Sequence, residues 1–207
     1  MYKSYELIAV ITGDIIKSRD VNSRTWQPKL KKWLAHNIVD TRKWQIYRGD
    51  SFQLEVPVED ALDIAISIKA LIKSIDVINV RMSIGIGEKN YDGKKVIESN
   101  GSAFINSGEG FNNLKFTTFI IKSNIPEIDD YFNSILRLIS FISDHWKEVT
   151  AETIFVALAN KEIKQKDLAV QLKKSNTTIS KSLKRGGYDE ILTAINLYRK
   201  RILLCLN

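Results

Sequence analysis

Apolar residues repeat with two different periods along the chain, and each change of period marks a predicted element. Residues 5–12 form a nearly continuous apolar and β-branched run, which predicts a strand covered on both faces. Residues 22–38 repeat apolar side chains at helical spacing, which predicts an amphipathic helix. Apolar residues then alternate on both sides of Gly49 and Asp50, which predicts a hairpin because glycine supplies the positive φ of a tight turn.

The following residues continue this order of strands and helices. The patterns predict a helix over 58–74, a strand over 77–87, a helix over 102–114 and a strand over 116–121. The order βαββαβ followed by αβ indicates an α+β fold with an antiparallel-containing sheet, in the ferredoxin-like or polymerase-palm arrangement. We therefore expect a palm domain over 1–123, a connecting helix over 124–150 and an all-α helix-turn-helix domain over 151–207.

Composition narrows the function classes. The chain has 207 residues, 44% hydrophobic and 27% charged, which is typical of a globular protein. Its single cysteine, Cys205, and two isolated histidines provide no zinc-binding set. The apolar runs are shorter than the roughly 20 residues that cross a bilayer, and the first residues lack a signal-peptide pattern, so we expect a cytoplasmic protein without a membrane partner.

The C-terminal 57 residues are the basic part of the chain. They contain 11 Lys and Arg against 5 Asp and Glu, and they predict successive short helices. Small Ala169 would allow two helices to cross closely, as in a helix-turn-helix, and Lys173 stands at the position of the usual turn glycine. A small helical bundle that makes protein contacts is the alternative.

The third of these helices, over about 176–185, is the predicted recognition helix. Polar residues near its N-terminus suit base edges, and basic residues suit phosphates. The residues that its apolar stripe leaves free, and that we predict to contact double-stranded DNA, are Thr177, Thr178, Ser180, Lys181, Lys184 and Arg185.

Two aspartates form the candidate chemical site. Asp14 follows the first strand, and the predicted topology places that strand beside the hairpin that carries Asp50. Two adjacent carboxylates repel each other unless a divalent cation lies between them, and Mg²⁺ suits such an oxygen site. The alternative is structural: Asp50 is a turn residue, and Asp14 caps the following loop through Ser18 and Arg19.

Three motifs resemble known proteins. "TGDIIKS" looks like the first metal-binding strand of class III nucleotidyl cyclases, "IYRGDSF" resembles their second hairpin and that of GGDEF cyclases, and "VRMSIGIGE" is similar to the next strand of both groups. The resemblance implies a metal held by Asp14, Asp50 and the backbone of Ile15. These aspartates would be the catalytic residues if the protein is an enzyme. The predicted nucleotide-binding residues are Ile16, Lys17, Ser18, Arg48 and Asn106.

With its C-terminal segment, the whole chain resembles the SatD family. We expect a DNA-binding transcriptional regulator, acting as a homodimer, whose palm domain senses a nucleotide through Mg²⁺. The alternative is an active nucleotidyl cyclase or nucleotidyltransferase that makes a signalling nucleotide. In such cyclases an asparagine and an arginine lie where this chain has Ile105 and Glu109. A third possibility is a protein-interaction module with both sites inactive.

Overall fold

Five strands form one mixed sheet in the computed structural model, which describes residues 7–75 and 77–206. The strands are β1 (Leu7–Ile16), β2 (Trp44–Tyr47), β3 (Ser51–Val56), β4 (Asn79–Glu88) and β5 (Phe119–Lys122). Their order across the sheet is β2-β3-β1-β4-β5. β1 runs antiparallel to both of its neighbours, whereas β5 pairs with β4 in parallel. The chain is therefore an α+β protein, as the sequence predicts.

Eight α-helices accompany the sheet in the described part of the chain. They are α1 (Ser23–Asn37), α2 (Ala61–Lys73), α3 (Ser102–Asn112), α4 (Pro126–Asp144), α5 (Glu148–Ala159), α6 (Gln165–Leu172), α7 (Asn176–Gly186) and α8 (Tyr188–Leu206). None of the described helices is both long and apolar enough to cross a membrane.

The central strand is longer than the sequence predicts. The predicted strand over 5–12 begins at Tyr5 and Glu6, which lie outside the described residues, and β1 continues to Ile16. The extension has a physical cause: β4 pairs with β1 as far as Ile16, and β3 pairs with it as far as Asp14. Asp14 thus belongs to the sheet rather than to a following loop.

The two faces of the sheet are covered differently. Ile11 and Ile15 of β1 pack with α1 and α2 in the main core, whereas Ile8 and Val10 face Ala103 of α3. α3 lies directly on β4, because a Cβ at Gly85 would come within 2.3 Å of the α3 backbone. α3 therefore covers β4 and the neighbouring part of β1.

The fifth strand is shorter and later than predicted. Phe116 is 94% exposed and lies outside β5, which pairs with β4 only from Phe119 to Lys122. The Thr117 and Thr118 hydroxyls before the strand contact Ser140 and Asp144 of α4. The free edge of β5 is also protected. The side-chain amide of Asn133 accepts from the Ile121 N–H at 2.8 Å and donates to the Ile121 carbonyl at 2.9 Å, so it occupies this edge as a neighbouring strand would.

The C-terminal helices share the core of the sheet. Ile154 of α5 and Ile195 of α8 are fully buried in the same apolar cluster as α2. The hydroxyl of Tyr198 in α8 donates to the Val58 carbonyl just before α2, at 2.8 Å. α6 and α7 form a second, smaller cluster with the end of α5. α6 and α7 are thus joined to the rest of the chain through α5 and α8, which pack on α2 and α4.

Candidate functional site

Asp14 lies in the sheet where three strands meet. It is paired with Ser51 of β3 on one side and with Arg81 of β4 on the other. Its side chain is on the opposite face from Ile15, which is buried in the main core. The Asp14 carboxylate is about one-fifth exposed, so it borders solvent without being fully hydrated.

The hairpin between β2 and β3 brings Asp50 to the end of β1. Arg48 and Gly49 have positive φ angles of 52° and 89°, which turn the chain back tightly. The Ile15 N–H donates to the Asp50 carbonyl at 3.2 Å, and the Ser18 hydroxyl donates to the Asp50 carboxylate at 2.5 Å. The hairpin is therefore tied to both β1 and the turn that follows it.

The pKa of Asp14 reports the charge balance at this junction. Burial raises it above the ordinary value, the hydrogen bond from Arg81 at 3.1 Å lowers it, and the nearby Asp50 carboxylate raises it again, with a net upward shift. The Asp50 carboxylate is therefore close enough to disfavour the charged form of Asp14. A divalent cation between them would remove this repulsion.

The ligands available for a metal are few. In the described part of the chain, no group of three or more His, Cys, Asp and Glu side chains could hold a metal ion. The donors that converge are the Asp14 and Asp50 carboxylates and the nearby backbone of Ile15. Such a set suits Mg²⁺, which commonly keeps several waters and uses one or two carboxylates together with substrate phosphates.

The segment after Asp14 turns sharply. Ile16 is still in the strand, opposite Asn79, whereas Lys17 adopts a left-handed conformation with φ 61°. The Asp20 N–H donates to the Lys17 carbonyl at 3.0 Å and closes this turn. The Ser18 hydroxyl donates to Asp50, whereas the Lys17 side chain is exposed. Of the predicted phosphate-binding side chains in this turn, Lys17 is therefore the more accessible to a ligand.

The other two predicted nucleotide-binding residues differ in position. Arg48 is exposed at the tip of the hairpin. Asn106 is buried, and its amide donates to the Ile86 carbonyl at 2.8 Å and to the Asn124 side chain at 3.0 Å. Ile86 pairs with Ala9, five residues before Asp14 on β1, which is about 16 Å away along the strand. The structure does not bring Asn106 to the two aspartates.

Arg81 is the residue that sequence reasoning missed. Its guanidinium donates to Asp14 and lies 5.0 Å from the centre of the Phe111 ring. Its buried Nε–H has no hydrogen-bond acceptor among the described residues. The signal was an arginine that alternates with the buried apolar residues of β4 and so lies on the other face of the strand, but only the β1–β4 register identifies its partner as Asp14.

A cleft of about 500 Å³ opens beside these residues, between the end of β1 and the loop that joins α3 to β5. Besides Asp14, its charged lining residues are Lys17, Arg81, Lys115 and Asp144. Three cations against two carboxylates make the cleft electropositive overall, and this excess favours an anionic ligand.

A buried lysine supports one wall of this cleft. Lys69 of α2 is fully buried and donates to Asp144 at 2.5 Å, to Thr118 at 2.8 Å and to the Val80 carbonyl at 3.1 Å. Burial lowers the pKa of Lys69 to about 8. Burial alone would raise the pKa of Asp144, but Lys69 and the hydrogen bond from Asn79 hold it below its usual value. The Asp144 carboxylate therefore remains charged and fixed beside the cleft.

The second candidate site is α7 with the turn before it. α6 ends at Leu172 and is capped by Lys173, which has a left-handed φ of 52° at the position where the usual turn glycine is replaced. Ser175 caps α7 by accepting from the Thr178 N–H at 3.1 Å. Leu168, Ala169 and Ile179 are buried between the two helices, so α6 and α7 cross closely, as the small Ala169 predicts.

The predicted DNA-contacting residues of α7 differ in how far their side chains are exposed and engaged in other contacts. Thr177, Ser180, Lys181, Lys184 and Arg185 are exposed, whereas the Thr178 hydroxyl lies 2.9 Å from the Ser175 hydroxyl and belongs to the cap. Lys181, Lys184 and Arg185 form no ion pair with any described residue, although other basic residues of this region do. Lys161 and Arg199 bind Asp63, and Lys174 binds Glu152. α7 therefore carries three basic side chains that no described acidic residue neutralises.

The fold and the two sites define an α+β protein with a carboxylate pair at the centre of its sheet and a basic helical face. A family model for the SatD family matches residues 7–197, nearly the whole chain, so the protein belongs to the SatD family. No curated protein matches the chain.

Proposed function

We propose that this SatD-family protein is a cytoplasmic DNA-binding regulator whose sheet binds a nucleotide through Mg²⁺ held by Asp14 and Asp50. The observation that carries the proposal is the junction of β1 with the β2–β3 hairpin, where the Ile15 N–H binds the Asp50 carbonyl and the Asp50 carboxylate raises the pKa of Asp14. The electropositive cleft beside Asp14 supports an anionic ligand.

The proposed architecture is a ferredoxin-like palm followed by a helix-turn-helix. The antiparallel order β2-β3-β1-β4 supports the first part, with β5 as an added strand. The crossing of α6 and α7, with an exposed basic face on α7, supports the second. A homodimer would present two α7 helices to successive half-sites on DNA, which is the usual arrangement for such readers.

Metal-dependent nucleotide binding is the first test. Calorimetric titration with each of the four ribonucleoside triphosphates and Mg²⁺ should show binding that chelation of the metal abolishes. Asp14→Asn should weaken this binding at least tenfold, because the variant loses a charged metal ligand. Asp20→Asn, an exposed aspartate in the same turn, is the matched control. Equal affinity of the wild type and Asp14→Asn would contradict the proposal.

The same titration separates a sensor from an enzyme. Cyclic or linked product made by the wild type and not by Asp14→Asn would replace the sensor with a nucleotidyl cyclase or nucleotidyltransferase. The structure gives that alternative less support. Ile105 is exposed, and Glu109 forms a 2.7 Å ion pair with Lys122 on the outer side of α3. In a class III cyclase, the residues at the positions of Ile105 and Glu109 stabilise the triphosphate, and an exposed isoleucine and an ion-paired glutamate do not suit that role.

DNA binding by α7 is the second test. Fluorescence anisotropy with duplex DNA at low salt should show binding that Lys181→Ala and Arg185→Ala weaken. Each variant should also reduce the slope of log affinity against log salt by about 1. Lys31→Ala, on the exposed face of α1, should leave both quantities unchanged. The absence of binding to any duplex at low salt would favour a protein-interaction module.

A further inference from the structure

The loop between α3 and β5, residues 113–118, has a fixed base and a free tip. At one end Leu114 is 8% exposed. At the other, the Thr117 hydroxyl lies 2.7 Å from the Ser140 hydroxyl, and the Thr118 hydroxyl accepts from buried Lys69 at 2.8 Å. The tip consists of Lys115 and Phe116, both exposed. The anchored base holds these two side chains at a fixed place on the rim of the cleft.

Phe116 has no packing role in the chain. Its side chain is 94% exposed, whereas the fold buries most of its other large apolar residues. It borders the cleft that contains Asp14 and also a second cleft, of similar volume, on the other side of the loop. A fully exposed phenyl ring loses the favourable burial of its apolar surface unless a ligand or partner covers it.

The charges beside Phe116 indicate the chemistry of that ligand. Lys17, Arg81 and Lys115 line the same cleft, and the buried Arg81 Nε–H lacks an acceptor among the described residues. Cations beside an exposed aromatic ring match a ligand with an anionic part and a flat aromatic part. Nucleotides have both, and bases stack on aromatic side chains with little dependence on sequence.

We propose that Phe116 stacks on the base of a bound nucleoside polyphosphate whose phosphates lie toward Lys17 and Arg81. This inference rests on the proposed function, since it extends the site at Asp14 to the loop 113–118. The base contact is made by a face of the ring rather than by hydrogen bonds. Purine nucleotides, with their larger stacking surface, should therefore bind more tightly than pyrimidine nucleotides.

The test compares nucleotides with a phosphate chain that has no base. Titrations of the full chain use ATP, GTP and inorganic tripolyphosphate, each with Mg²⁺. Phe116→Ala should weaken ATP and GTP binding about ten- to a hundredfold and leave tripolyphosphate affinity within about twofold. Phe116→Trp should keep nucleotide affinity and add a fluorescence signal that ATP quenches. Phe141→Ala, which removes a 70% exposed ring from α4, is the matched control.

The outcomes separate this inference from the proposed function. Unchanged nucleotide affinity in Phe116→Ala, with binding still lost in Asp14→Asn, overturns the stacking and leaves the metal site intact. Equal loss of nucleotide and tripolyphosphate also overturns it, because the ring would then support the loop rather than the base. Altered self-association with unchanged affinity assigns the ring to a contact between copies of the chain. If the wild type binds none of the three ligands, both proposals fail.

Discussion

Asp14 and Arg81 form an ion pair that does not fully stabilise the charged aspartate. Arg81 is about two-fifths exposed and donates a single hydrogen bond to Asp14, so solvent screens the pair. Burial and the Asp50 carboxylate act in the opposite direction and leave the pKa of Asp14 raised. The metal-free protein therefore contains a carboxylate whose ionisation costs stability, as expected for a residue kept for binding rather than for folding.

Replacing this carboxylate with a neutral amide should stabilise the metal-free protein. We expect Asp14→Asn to raise the free energy of unfolding at pH 7 by roughly 1 kcal/mol or less. A raised pKa means that the folded state binds the proton more tightly than the unfolded state. The penalty is therefore present at neutral pH and disappears as pH falls through the folded pKa to below about 4.

Urea unfolding with a chelator at pH 7 and at the lowest pH where the protein stays folded measures this difference. Asp20→Asn serves as the control for a change of net charge. A less stable Asp14→Asn at pH 7 would mean that the bond to Arg81 outweighs burial and repulsion, and Asp14 would then be a structural residue.

At the scale of elements, local sequence patterns predicted those features whose conformation depends on residues close together in the chain. The alternation around Gly49 and Asp50 predicted the hairpin, and its tight turn depends on the positive φ of Arg48 and Gly49. The end of β1 was predicted too early, since pairing with two distant strands decides it. The start of the fifth strand was also predicted too early, because pairing with β4, which is distant in sequence, begins only at Phe119.

The candidate site, like the strands and helices, was predictable only in part. Asp14 and Asp50 could be brought together from strand order alone. Arg81 could be assigned to Asp14 only through the β1–β4 register, and Asp144 reaches the cleft only because buried Lys69 fixes the end of α4. Asn106 was chosen by its place in a motif, and its buried amide instead bonds the end of β4. The features that could not be predicted depend on contacts between residues far apart in sequence, about which the local periodicity carries no information.

At the scale of the whole molecule, the C-terminal helices and the sheet share one apolar core. Ile154, Ile195 and Ile202 are fully buried in the cluster that includes α2 and the centre of the sheet. Arg199 of α8 adds ion pairs to Asp60 and Asp63 at the start of α2. α5 and α8 therefore pack the proposed DNA face against α2, whose Lys69 supports the cleft beside Asp14, with no flexible linker between them in the described chain.

This packing predicts that the chain unfolds as one cooperative unit. Three of the four tryptophans, Trp26, Trp33 and Trp44, lie in α1 and β2, whereas most of the helical signal comes from the rest of the chain. Ile195→Ala should cost about 2–5 kcal/mol, because it leaves a cavity in the shared core. The tryptophan fluorescence and far-ultraviolet circular dichroism transitions should coincide in the wild type, and the variant should shift both equally.

Leu204→Ala, at a 67% exposed position of the same helix, should shift neither transition measurably. A variant whose dichroism transition moves while the fluorescence midpoint stays fixed would show that α8 unfolds separately from the sheet. In that case nucleotide binding at Asp14 could not be transmitted to α7 through the core. An equal shift of both unfolding transitions is consistent with such transmission, because stabilisation at one site is then distributed over the same cooperative unit.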